Sequence, residues 1–262
     1  MLLFVVACLI LGGVVGILAG LLGIGGGLII VPALVGLLPL AGVLPEHLMP
    51  IALGTSLASI VLTGVSSSWR HHQLGNVDWT IVKAMVPGGI IGAVIGAHVI
   101  TLIPSDMISK VFGVLVLLLA LQMALSVKTR AEHPLPTKGW LFTAGGLIGI
   151  FSSLAGIGGG SLTVPYLNWH SVPMRIAIGV SAVCGMMLGV GGSLTLIVSG
   201  LHVSDLPAYS LGYVYLPALA CIAVTSVQTS KVGANLVSRL PVPILKKGFA
   251  VLLVFVALKM LW

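Results

Sequence analysis

Apolar stretches of about 20 residues recur along the whole chain, each long enough to cross a hydrocarbon core roughly 30 Å thick. Short segments between them carry nearly all the charged side chains. The pattern predicts long helices at roughly Leu2 to Leu22, Leu48 to Ser68, Ile81 to Leu102, Met107 to Val127, Gly139 to Ala155, Met174 to Ser199, Ala208 to Thr229 and Ile244 to Trp262. Two shorter apolar pieces, Leu28 to Leu38 and Leu162 to Trp169, cannot span a bilayer and read as half-helices or re-entrant arms. The expected fold class is therefore all-α: a polytopic integral membrane protein with about eight transmembrane helices and two short broken pieces.

The order of landmarks repeats. Gly23-Ile24-Gly25-Gly26-Gly27 with Val31-Pro32 returns as Gly156-Ile157-Gly158-Gly159-Gly160 with Val164-Pro165. Gly54-Thr55-Ser56 is answered by Gly179-Val180-Ser181, and Gly96-Ala97 with Pro104, Lys110 and Phe112 by Gly233-Ala234 with Pro241, Lys247 and Phe249. This divides the chain into a first membrane repeat at 1–128, a polar linker at 129–138 and a second repeat at 139–262. Matched loops swap their charge. The loop after the second helix carries Arg70 and Lys83 in the first half but Asp205 in the second, while the next loop gains Lys231, Arg239, Lys246 and Lys247. An inverted-topology duplication predicts such a swap. If each glycine motif turns the chain back, Arg70, Lys83, Lys128, Arg130, Lys138, Arg175, Lys231, Arg239, Lys246 and Lys247 share the cytoplasmic side. Glu46, Asp106, Lys110, Asp205, Lys259 and both termini then lie outside.

Composition supports the membrane reading and narrows it. Hydrophobic residues make up 58% of the chain and charged residues 6%, with a mean hydropathy of +1.22, against about 25% charged residues in soluble domains. The formal charge of +7 sits in loops, which fits the positive-inside rule and not nucleic-acid binding. No Lys or Arg precedes the first apolar stretch, so the first helix is expected to remain in the mature protein. Cys8, Cys184 and Cys221 lie in apolar segments without metal-ligand spacing and read as small buried hydrophobes.

The glycine motifs are the strongest candidate for chemistry. Four glycines in five positions break a helix, and a broken backbone at bilayer depth is tolerated only inside protein or along a wet cavity. Freed N–H groups at the start of the following half-helix favour negative charge. The candidate substrate-binding residues are Gly23, Gly25, Gly26 and Gly27 with Gly156, Gly158, Gly159 and Gly160. Thr55, Ser56, Ser181 and Gln228 are further donors. Close helix packing is the alternative for the glycines, and ordinary interhelical hydrogen bonding for the hydroxyls. His98 reads as an interfacial histidine, and His71-His72 as part of a basic loop flanked by Trp69 and Trp79.

All five carboxylates, Glu46, Asp78, Asp106, Glu132 and Asp205, fall in or beside loops, which leaves no evident proton or sodium site in the bilayer. Anion export needs none, because an inside-negative potential supplies about 2.3 kcal/mol per charge per 100 mV. No Gly-Lys-Ser/Thr follows either glycine motif, and HExxH, GxSxG and paired carboxylates are missing, which argues against a P-loop and against an embedded enzyme. No catalytic residue, metal or cofactor is expected. The expected partners are a small anionic substrate and the lipid bilayer, with room for a homodimer and no nucleic acid. A channel using the same cavity is the nearest alternative function.

The paired Gly-Ile-Gly-Gly-Gly and Val-Pro motifs, the loop Arg70 with Gly75-Asn76-Val77-Asp78-Trp79, and the segment Ser210-Leu211-Gly212-Tyr213-Val214-Tyr215-Leu216-Pro217-Ala218 together resemble the sulfite exporter TauE/SafE family, also called the TSUP transporters. The resemblance covers almost the whole length. It implies a multi-pass bacterial inner-membrane permease with duplicated halves and about eight spans, associated with sulfite, sulfonates, sulfoacetate or related small organic anions. The second half lacks a counterpart of Arg70, so any role for that arginine is not symmetric.

Overall fold

The computed structural model describes residues 2–22, 26–124, 134–236 and 242–261. Among these described residues ten helices follow in order: α1 (Leu2–Leu22), α2 (Gly27–Leu37), α3 (Pro45–Gln73), α4 (Trp79–Leu102), α5 (Ser105–Ala124), α6 (Lys138–Leu154), α7 (Gly160–Trp169), α8 (Met174–Gly200), α9 (Leu216–Leu236) and α10 (Val242–Leu261). A 3₁₀ turn at Leu38–Ala41 extends α2. Among the described residues, α3, α4, α8 and most of α1 and α5 are long and apolar enough to cross a membrane. Many outward-facing large side chains are apolar, including Leu2, Ile10, Leu118, Phe151, Leu194 and Phe255, as lipid-facing helices require.

Two expected boundaries are wrong in an instructive way. The helix expected from Ala208, α9, starts at Leu216 because Ser210–Leu211 and Val214–Tyr215 pair as a short antiparallel hairpin. Gly212 turns it at φ 54°, pressed against the carbonyl of Ile197. The helix expected to end at Ser68, α3, runs on to Gln73 and takes in Arg70, His71 and His72, so these are not loop residues. His71 is fully buried, with Nε2 3.2 Å from the carbonyl oxygen of Gly20.

Helices from the two halves interlock. α1 packs on α9, and α6 on α4; α3 touches α9, and α8 touches α4. The centre is α3 against α8, with Gly64 beside Met186 and Leu57 beside Gly192, so these two run antiparallel. α5 and α10 are also antiparallel, since the hydroxyl of Ser109 donates to the carbonyl of Met260. Small residues set these distances: a Cβ at Gly92 would strike the Gly146 carbonyl, and one at Gly12 the Ile222 carbonyl.

The same contacts sort the charges. Arg70 Nε donates to Asn235 near the end of α9, Asn76 abuts Gly179 near the start of α8, and Gly88 of α4 abuts Phe142 of α6. One end of the bundle therefore gathers Arg70, Lys83, Lys138, Arg175 and Lys231 with Asp78. The other end holds Glu46, Asp106, Lys110, Asp205 and Lys259. Lys128, Arg130 and Arg239 lie outside the described residues.

Candidate functional site

Each glycine motif begins a short helix in the same way. Gly26 precedes α2 at φ 75° and Gly159 precedes α7 at φ 71°, both in the left-handed region that a Cβ makes costly. Gly26 lies against Val15 and Gly159 beside Ile148, in each case a residue 11 positions earlier on the preceding helix. The chain has thus folded back at both places. Gly23 and Gly25 lie outside the described residues.

The two breaks meet in the middle of the molecule. A Cβ on Gly27 would collide with the carbonyl oxygen of Gly156, which itself sits at φ 58°. Ser56 on α3 donates to that same carbonyl at 2.8 Å. Behind it, the Gly158 carbonyl lies against Gly185 of α8, again too close for a Cβ. The close approach at Gly27 is therefore occupied by the other half's backbone.

The candidate hydroxyls divide by task. Thr55 Oγ1 accepts from the Tyr215 N–H at 3.0 Å and holds the hairpin against α3. Ser181 donates to the Ile178 carbonyl at 2.8 Å and borders a cavity between α3 and α8. Thr63, Gly64 and Ser67 of α3, Gly158, Gly185 and Met186 complete much of that lining. Its volume is about 10 Å³, room for one water molecule and not for an oxyanion. Gly160 is buried at the first position of α7. Gln228 is exposed on α9 and is not among the lining residues. A larger open groove of about 530 Å³ touches neither break; it lies at the Arg70 end between Asp78, Trp79, His170 and Pro173.

Several polar groups here escaped the sequence reading. Ser67, Ser152, Ser161 and Thr163 are buried, and none of their hydroxyls has a hydrogen-bond partner among the described residues. Leaving a buried polar group unpaired costs about 1–3 kcal/mol. Three of the four surround the second break, since Ser152 Oγ approaches Gly159 and Ser161 and Thr163 lie in the first turns of α7. The available signal was the run Ser66-Ser67-Ser68 and the pair Ser152-Ser153 inside apolar segments. Another was Leu74-Gly75-Asn76-Val77, which matches Leu211-Gly212-Tyr213-Val214. These loops make equivalent contacts, the Tyr213 carbonyl against Gly54 and the Asn76 carbonyl against Gly179. Among the described residues no group of His, Cys, Asp and Glu is placed to hold a metal.

Comparison with known proteins agrees with the membrane fold. The family model described as sulfite exporter TauE/SafE matches residues 8–260. A probable membrane transporter protein of Haemophilus influenzae is 47% identical over 262 residues, covering 98% of each chain. One from Methanocaldococcus jannaschii is 30% identical over 87% of this chain and 84% of its own length. One from Bacillus subtilis is 31% identical over 79% of this chain and 82% of its own. No solved structure matches. The chain belongs to the sulfite exporter TauE/SafE family and is a multi-pass membrane transporter.

Proposed function

We propose that this TauE/SafE family member is a permease that carries a small anion outward across the bacterial inner membrane, through a central site bordered by its two glycine breaks. The cargo class is sulfite, an organosulfonate, sulfoacetate or a related organic anion. The carrying observation is the meeting of the breaks, Gly27 against Gly156 with Ser56 bonded to the same carbonyl, beside unpaired hydroxyls from α3, α6 and α7. Hydroxyls and peptide N–H groups hold an oxyanion without burying a cation that would trap it.

Two homologous, inverted repeats account for the packing. α3 and α8 occupy matching places in the two halves and run antiparallel, as do α5 and α10. The cross-pairs α1 with α9 and α6 with α4 exchange when the halves are exchanged. Rocking one half against the other would open the cavity to alternate sides, as inverted-repeat carriers do. The narrow cavity then represents a closed state. The basic end, with Arg70, Lys83, Lys138, Arg175 and Lys231, faces the cytoplasm in this reading, where it attracts the anion before export. A homodimer would cover some of the apolar outer surface without changing the route.

Reconstituted vesicles with an imposed potential and no ion gradient test the proposal. Saturable sulfite or sulfoacetate flux that follows the potential and shows counter-transport is expected. Flux that ignores the potential excludes electrogenic export, and ohmic single-channel currents would make the protein a channel.

A further inference from the structure

Among the described residues, His71 is the only histidine, lysine, arginine, aspartate or glutamate that is buried. Its Nε2 faces the Gly20 carbonyl. A carbonyl only accepts, so Nε2 carries the proton of the neutral ring and Nδ1 is left as a bare acceptor. Nδ1 is buried and has no partner among the described residues. One turn earlier on the same helix face stands Ser67, 2% exposed, its hydroxyl also unpaired and bordering the central cavity. The cavity's α1 wall is Ala19, next to the Gly20 that holds the imidazole. Here α3 brings one idle donor, on the cavity wall, and one idle acceptor a turn behind it, with the α1 carbonyl of Gly20 fixing the imidazole.

The adjoining residue supplies charge. Arg70 donates from Nε to Asn235 at 2.8 Å and from a terminal nitrogen to Gln73 at 3.1 Å, both neutral amides, and no carboxylate among the described residues pairs with it. At this end, the other titratable groups on helices packed against α3 are His72 of α3, Arg175 of α8, Lys231 of α9 and Lys138 of α6, all exposed. α1 and α2 carry no acidic, basic or histidine residue, and those of α5 lie at the opposite end. An anion is therefore drawn to this end. A fully deprotonated oxyanion presents only acceptors and meets repulsion at Nδ1. One that keeps a single O–H satisfies both idle groups.

We propose that, when the cavity widens from this closed state during transport, Ser67 and His71 form a subsite between it and Arg70 for a small oxyanion carrying one proton. The Ser67 hydroxyl donates to one of its oxygens, and His71 Nδ1 accepts from its O–H. The inference rests on the permease reading and adds the protonation state of the cargo.

Calorimetric titration of the purified full chain with hydrogensulfite and with methanesulfonate, at mildly acidic pH, tests it. Methanesulfonate has similar size and charge but no O–H. Wild type is expected to prefer hydrogensulfite by about tenfold, because a site built to bond a hydroxyl rejects an analogue without one. In His71→Phe the ring shape is kept while the Nδ1 acceptor is gone, together with the Gly20 bond. That variant is expected to bind both ligands within about twofold of each other, at the wild-type methanesulfonate affinity. Ser67→Ala should weaken both ligands by about fivefold and preserve the preference. Equal affinities in wild type, or a preference retained in His71→Phe, overturn the subsite while leaving the permease reading intact. Absence of binding by either ligand to wild type counts against both.

Discussion

The hydroxyl of Ser56 and the carbonyl of Gly156, 100 residues apart in sequence and 2.8 Å apart in space, join the third helix to the glycine break of the other half. Both groups are buried, so the bond ties the halves at the point where they would have to move. Ser56→Ala leaves the Gly156 carbonyl without this donor. A loss of about 1 kcal/mol is expected, seen as a lowered melting temperature in detergent, together with slower anion flux.

Gly27 and Gly36 lie on one short helix and separate packing from propensity. A methyl at Gly27 meets the Gly156 carbonyl, whereas one at Gly36 meets nothing within 4 Å. Gly27→Ala should destabilise by about 1–3 kcal/mol through overpacking. Gly36→Ala should be neutral, or stabilising by up to about 1 kcal/mol through helix propensity. Thermal unfolding of the two variants side by side measures the contrast.

Gly54 and Gly179 make the corresponding contact in the two halves, each against a loop carbonyl of the other. Gly54→Ala and Gly179→Ala should lower the melting temperature to similar extents. Sharply unequal effects would argue against equivalent halves.

The proposed duplication rests on glycine spacing, Val-Pro and loop charge, which recur at fixed places, each with a physical cause in a helix break or an interface. Lengths were less readable. His71 and Arg70 look like loop residues by polarity, yet tertiary contacts with Gly20 and Asn235 keep them helical. The hairpin at Ser210–Tyr215 was hidden because Tyr and Val suit a strand as well as an apolar helix. At the site, hydrophobicity could not tell a hydroxyl that bonds its own helix, as Ser59 bonds Thr55, from one left unpaired, as at Ser161. That difference is set by neighbours distant in sequence.

Gln228 and Arg70 should behave oppositely. Gln228 is exposed on α9 away from the cavity lining, so Gln228→Ala should leave flux unchanged. Arg70→Ala should raise the KM for anion offered at the Arg70 end by about threefold to tenfold, and the effect should shrink at high salt as the charge is screened. Initial rates at two ionic strengths provide the check.

The central claim is that the anion occupies the space between the breaks during transport. With Cys8, Cys184 and Cys221 replaced by alanine, the rate at which a charged thiol reagent modifies Ser181→Cys in reconstituted vesicles tests it most directly. Sulfite should slow the labelling in a saturable manner, with half-protection near its transport KM. Labelling that proceeds at the same rate while sulfite is being transported at saturation would place the route elsewhere.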